Sequence, residues 1–246
     1  MPLNGNMNIK LELNKHQLQL IAIAAMTLDH IAWLLAGGYS YEWWVLLFHM
    51  AGRITAPIMW FFAAEGYSKT HNLRKYAGRL LVFALISHFA YNFFLGNSFI
   101  PFEDSVFEQT SVLWSLFEGV MGIYIIEKDD LKKWHKAVLT ALLCILSFSA
   151  DWSCISVLAI VWIHLNRKNT ARQLAGIEAL AVLSGLGMLF LMDKVYALLQ
   201  LCVCFSFPLI MAYNGKKGAG SPGRYFFYIY YPAHLLLLAF IRITLL

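Results

Sequence analysis

Nine apolar stretches divide this chain, and basic residues collect in every second gap between them. That alternation leaves few folds open. A helix that crosses a bilayer needs about 20 predominantly apolar residues. The stretches at about 18–37, 44–66, 79–96, 110–126, 136–150, 153–165, 173–192, 195–213 and 226–244 meet or approach that length. The fifth and sixth are short, so a re-entrant hairpin around Asp151 is an alternative, and eight or ten crossings remain compatible with the pattern. Composition supports the same reading: 60% of the 246 residues are apolar and 13% are charged. A water-facing domain carries about a quarter charged residues, and a disordered chain needs low hydrophobicity, so both are excluded. The expected fold is all-α, a polytopic transmembrane helix bundle of about nine spans.

The gaps orient the bundle. Lys10 and Lys15 precede the first stretch; Lys69, Arg74, Lys75 and Arg79 follow the second; Lys128, Lys132, Lys133 and Lys136 follow the fourth; Arg167, Lys168 and Arg172 follow the sixth; Lys216, Lys217 and Arg224 follow the eighth. These sixteen of the 19 Lys and Arg residues fall on one side. The other side holds Lys194 and Arg242 among Glu42, Glu103, Asp104, Glu108, Asp151 and Asp193. Basic loops stay in the cytoplasm, which places the amino terminus there and the carboxyl terminus outside. The net charge of +5 then reflects loops lying near anionic lipid, so membrane lipid is the expected partner and nucleic acid is not. Residues 1–17 are expected as a cytoplasmic segment without a cleaved signal, and residues 18–246 as one transmembrane domain. Cys144, Cys154, Cys202 and Cys204 lie in apolar stretches without metal-ligand spacing, and are expected as buried, inert thiols with no metal. The eight tryptophans, Trp60 and Trp152 among them, lie mostly near stretch ends and are expected as interfacial anchors.

The remaining basic residue, Arg53, falls inside the second stretch. A charge at that depth costs at least about 2.5–3.5 kcal/mol on insertion scales and calls for a partner or a wet cavity. Asp29 and His30 lie in the first stretch; at 1.5 Å per residue His30 is about 10 Å, and Arg53 about 13 Å, from the outer end. His88, Glu118 and His234 are expected near mid-depth, His49 toward the outer end, and Glu65 and His164 toward the inner end. A His with a carboxylate is a general-base arrangement, although Asp29 and His30, adjacent on a helix, cannot readily pair with each other. An Arg at the same depth would stabilise a developing negative charge. Such a set suits acyl transfer and equally a proton-coupled transporter, and periodicity does not separate them.

The segment MTLDHIAWLL, then EWWVLLFHMAGRITAPIMWFFAAEGYS, the basic run THNLRKYAGRLL and the aromatic YFFYIYYPAHLLLL together resemble the TraX family of F-pilin acetylation proteins. The matching motifs are Leu28-Asp29-His30, Arg53-Ile54-Thr55-Ala56-Pro57, Glu65-Gly66, and Pro232 with His234. The resemblance implies an integral acetyltransferase of the bacterial inner membrane. It would move acetyl from cytoplasmic acetyl-CoA to an acceptor at or beyond the membrane, such as the terminal amine of pilin or another envelope protein. Read with the resemblance, His30, Asp29 and Arg53 are expected as catalytic; His234 and Glu65, in its motifs, and His88 and Glu118, by their expected depth, are candidate acceptor or cofactor contacts. Arg74, Lys75 and Arg79 would hold the phosphates of the acetyl-CoA. The wider membrane acyltransferases, also similar, often carry a basic residue eleven positions before the His; here that position is Gln19. O-acetylation of an envelope glycan is the enzymatic alternative.

Overall fold

The computed structural model describes residues 12–100, 103, 110–191, 193–219, 223 and 225–245. Helix α1 spans Lys15–Ala36. Helices α2 (Trp43–Gly52) and α3 (Thr55–Lys69) follow, then α4 (Leu73–Leu95), α5 (Val112–Glu127), α6 (Lys133–Leu146), α7 (Ser153–Leu165) and α8 (Thr170–Leu191). Helix α9 (Lys194–Leu199), a 3-10 segment (Gln200–Ser206) and α10 (Phe207–Met211) form one discontinuous rod, and α11 covers Phe226–Leu245. No strand occurs among the described residues, only two isolated bridges. The protein is an all-α bundle. Of the expected cytoplasmic segment, residues 15–17 form the first turn of α1, and residues 1–11 lie outside the described residues, as do Asp104, Glu108 and Arg224.

Local chemistry sets the helix ends. Asn14 caps α1 reciprocally with Gln17, and Gly37 closes it in the left-handed conformation at φ 66°, where a residue without Cβ carries no strain. Pro57 breaks the second rod. It lacks the N–H that would bond the Arg53 carbonyl, and its ring opposes that carbonyl. So α2 stops at Gly52, and α3 starts at Thr55, whose hydroxyl bonds the Ala22 carbonyl of α1 at 3.0 Å.

Six helical stretches among the described residues are long and apolar enough to cross a membrane: α1, α2 with α3, α4, α8, α9 through α10, and α11. Helices α5, α6 and α7 have 16, 14 and 13 residues. Their ends show how they sit. On the basic face, Glu127 at the end of α5 meets Tyr67 of α3 at 2.9 Å and His164 of α7 at 2.7 Å. At their other ends, Thr110 pairs with Ala150, and Trp152 lies under Arg53. The α6–α7 turn therefore reaches the level of Arg53, about 20 Å from the basic face by the length of α7. On the opposite face, Arg242 of α11 donates to the Phe94 carbonyl of α4 at 2.7 Å. Irregular backbone at such depth is tolerated where it lines a cavity or is buried in protein. Here Ser147 is fully buried, and Trp152 and Ser153 hold φ of 62° and 44°.

Helix α1 packs on α2, α3 and α11, while α3 packs on α5 and α7. Trp60 of α3 fills the centre, fully buried, with its indole N–H donating to Ser156 of α7 at 2.9 Å. It is a core residue and not an interfacial anchor. Trp43 and Trp134 are exposed. The four cysteines are free and half-buried, less enclosed than their apolar neighbours suggest.

Candidate functional site

A cavity of about 540 Å³ runs between α1, α3 and α11 from the basic face to mid-bundle. Its mouth is lined by Lys15, Glu65, Lys69, Thr70, Tyr213 and Lys217, its wall by Gln19, Met59, Tyr76, Arg79 and Tyr228. Its far end is formed by Asp29, His30, Gly52, Arg53, Trp152 and Tyr231. Lys15 and His30 are fifteen residues apart on α1, so the two ends are separated by about 22 Å.

At the mouth, Glu65 accepts from Lys15 at 3.2 Å, Lys69 at 2.8 Å and the Tyr213 hydroxyl at 2.8 Å. One carboxylate between two ammonium groups leaves the mouth net positive, with Lys217 adding to it. The chain around the mouth is tied down: Lys15 and His16 N–H groups donate to the Lys216 and Lys217 carbonyls, and Leu13 pairs with Tyr213.

At the far end the ionisable groups pair differently from a simple Asp29–Arg53 ion pair. Asp29 accepts from His49 Nδ1 at 2.7 Å, and His49 is almost fully buried. Gly52 makes this approach fit, because a Cβ there would stand 2.5 Å from the Asp29 side chain. Among the described residues Arg53 has no carboxylate within ion-pair distance, and its buried Nε has no hydrogen-bond partner. Its guanidinium lies 5.4 Å from the Trp152 ring centroid, a cation–π contact. Trp152 in turn meets Trp60 edge-on at 5.1 Å. His30 does not bond its neighbour Asp29. Its Nδ1 is 2.9 Å from Nε2 of His234 on α11, and Phe94 and Tyr231 pack edge-on against its ring.

Above Asp29 the site is closed by aromatic residues. Tyr39 lies edge-on to Trp33 at 4.9 Å and to Tyr196 at 4.6 Å. The Tyr196 hydroxyl accepts from the Ser40 N–H and donates to the Ser40 carbonyl, both at 2.9 Å. Asp193 caps α9 beside them. Desolvation pulls its carboxyl upward, but the Val195 N–H and the Tyr41 hydroxyl outweigh this and hold it below the usual carboxylate range.

The structure thus brings His30, Asp29, Arg53, Glu65 and Arg79 into one cavity. His234 stands behind His30 and outside the cavity wall. His88 lies on α4, bonded to the Phe99 carbonyl at 3.1 Å, away from the cavity. Glu118 is buried on α5 but does not line the cavity either. Arg74 and Lys75 are exposed on the first turn of α4, with only Arg79 of that trio on the cavity. The residues that sequence reading missed are His49 as the partner of Asp29, Lys15, Lys69 and Lys217 at the mouth, and Trp152 beneath Arg53. Helical phase could have found Lys15, which lies on the first turn of the helix that carries His30; nothing local marks the others.

A family model described as "TraX protein" matches residues 14–242. A curated relative from Dichelobacter nodosus, described as "Probable fimbrial assembly protein FimC, serogroup H1", is 32% identical over 244 residues, covering 94% of this chain and 97% of its own length. No solved structure matches.

Proposed function

The chain belongs to the TraX family, and from that premise we propose that it is an acetyltransferase of the bacterial inner membrane. It takes acetyl from cytoplasmic acetyl-CoA and transfers it to the terminal amine of a pilus subunit or similar envelope protein. The observation that carries this reading is the cavity that joins a net-positive mouth to His30 and Arg53. A nucleotide thioester has that polarity: phosphates at one end, a slender arm, and a carbonyl at the other. Lys15, Lys69, Lys217 and Arg79 match the phosphates by charge, and the arm lies along Tyr76 and Tyr228. The D. nodosus relative's description supports a pilus subunit as acceptor.

The chemistry follows from the far end. The acceptor nitrogen attacks the thioester carbonyl and forms C–N, and the tetrahedral adduct then collapses as C–S breaks. His30 takes the proton the nitrogen sheds and returns it to the departing sulfur. Arg53, which makes no carboxylate ion pair among the described residues, stabilises the oxyanion that forms in between. Asp29 and His49 hold the floor beside it. An α-amine needs such a base because its ammonium form, with a pKa of about 7.7–8.0, is not nucleophilic.

The test is thiol release from acetyl-CoA by the purified full chain, with mass spectrometry of envelope proteins from a deletion strain. His30→Ala should lower turnover by about 10²–10⁴-fold, the range for loss of a general base. Unchanged turnover in that variant, or no thiol release from the wild type with a pilus-subunit peptide, overturns the reading. An acetyl mark missing from a glycan instead of a protein would move the acceptor to a hydroxyl.

A further inference from the structure

His234 does not line the cavity, yet its bonds dictate the state of His30, which does. Its Nδ1 lies 3.0 Å from the Tyr230 carbonyl. A carbonyl only accepts, so Nδ1 of His234 carries the hydrogen. A neutral imidazole has one N–H, which leaves Nε2 of His234 as a lone pair. His30 Nδ1 stands 2.9 Å from that lone pair and therefore donates to it. The remaining nitrogen of His30, Nε2, is then left with a lone pair. We infer that His234 is a positioning residue that fixes the tautomer of His30 and leaves its Nε2 as the nitrogen that takes the acceptor's proton. The inference rests on the proposed transfer reaction for its consequence, though not for its geometry.

The surrounding contacts hold the pair in register. The Tyr230 ring stacks on His234 at 5.1 Å and 13°. Its hydroxyl lies 2.8 Å from Thr27 Oγ1, and Thr27 donates its own hydrogen to the Ile23 carbonyl. So Tyr230 donates to Thr27, tying α11 to α1 one turn before His30. Were His234 protonated instead, its Nε2–H would donate to His30, whose hydrogen would move to Nε2 and end its capacity as a base there. Neutral His234 is the working state. When His30 takes up a proton it still donates through Nδ1, so His234 also stabilises the imidazolium.

The groups around the His30–His234 pair are Asp29 on α1, His49 and Arg53 from the second rod, and Tyr230 and Tyr231 from α11, while α4 presents Phe94. Two substitutions separate positioning from packing. His234→Gln keeps an acceptor oxygen; His234→Leu keeps bulk and removes the acceptor. In the purified full chain, His234→Leu should reduce acetyl-CoA turnover at least about tenfold and move the acidic limb of the kcat/KM profile downward by about one pH unit, one unit being the scale of a single hydrogen bond to the charged form. His234→Gln should keep the limb near its wild-type position. A fall in rate in both variants with no movement of the limb would mean a packing role, and would overturn the inference. Nitrogen-15 histidine spectra of the wild-type chain decide the geometry without turnover, even if the leucine variant does not fold. Both His30 and His234 should show the Nδ1–H tautomer, and an Nε2–H signal for His30 sinks the proposal. If the wild type fails to turn over acetyl-CoA, the transferase reading falls while this spectrum still judges the pair.

Discussion

At the mouth of the cavity, Glu65 gathers Lys15, Lys69 and the Tyr213 hydroxyl, and every contact carries charge. Beyond Asp29, on the opposite side, Trp33, Tyr39 and Tyr196 close the site with ring edges and one two-way hydrogen bond through Tyr196. The mouth is open to water, where long cationic side chains can re-aim at little cost. The aromatic cap is built from residues with two side-chain torsions each, so it holds one shape with less entropy to lose. A charged, adaptable entrance suits a soluble anion arriving from one side, whereas the other end is covered by interlocked aromatic rings. The asymmetry of the loops is therefore repeated inside the bundle.

That comparison can be broken most sharply at the mouth. The double variant Lys15→Ala/Lys69→Ala should raise KM for acetyl-CoA by about tenfold or more, since hydrogen bonds to charged groups contribute about 1.5–3 kcal/mol. Tyr196→Phe at the cap should leave the donor KM unchanged. Equal effects from the two would erase the division of labour. A second test probes the floor between them. Gly52→Ala should destabilise the protein by about 1–3 kcal/mol through overpacking against Asp29, read as a lower Tm in detergent. Gly78→Ala, which meets open space, should not. A floor that accepts a methyl group at Gly52 as easily as the surface does at Gly78 would mean that Asp29 is not held where it is described. The smallest effect belongs to the cap itself. Tyr196→Phe removes two hydrogen bonds through one hydroxyl, worth about 1 kcal/mol each, and should speed amide exchange at Ser40 while the Lys15 amide exchanges as before.

How much of this was legible in the chain depends on what each residue had to reveal. Depth was readable, because charge in alternate gaps fixes where each rod begins. Hence Asp29, His30 and Arg53 were placed together, and Glu65 nearer the basic face. Direction was not readable. His88, Glu118 and His234 share a depth with the cavity, but rotation about the helix axis puts none of them on its wall. The partner of Asp29 was not readable either: Gly52 opens space for its carboxylate to reach His49. Trp152 looked like an anchor because it ends an apolar stretch. The stretch ends at mid-bundle, where α6 turns into α7, so the indole meets a guanidinium in place of a headgroup. The nine-stretch map located α5, α6 and α7, but their lengths of 16, 14 and 13 residues decide how far they reach.

Synthesis order adds a last consequence. Leu13 finds its backbone partner only at Tyr213, and His30 finds its own at His234, 204 positions downstream. A ribosome makes the amino-terminal part first, at about 5–20 residues per second. Ten seconds or more therefore pass between the emergence of the two imidazoles. During that interval the early helices hold an unfinished cavity with His30 unpaired, and the arrival of α11 completes both the cavity wall and the imidazole pair.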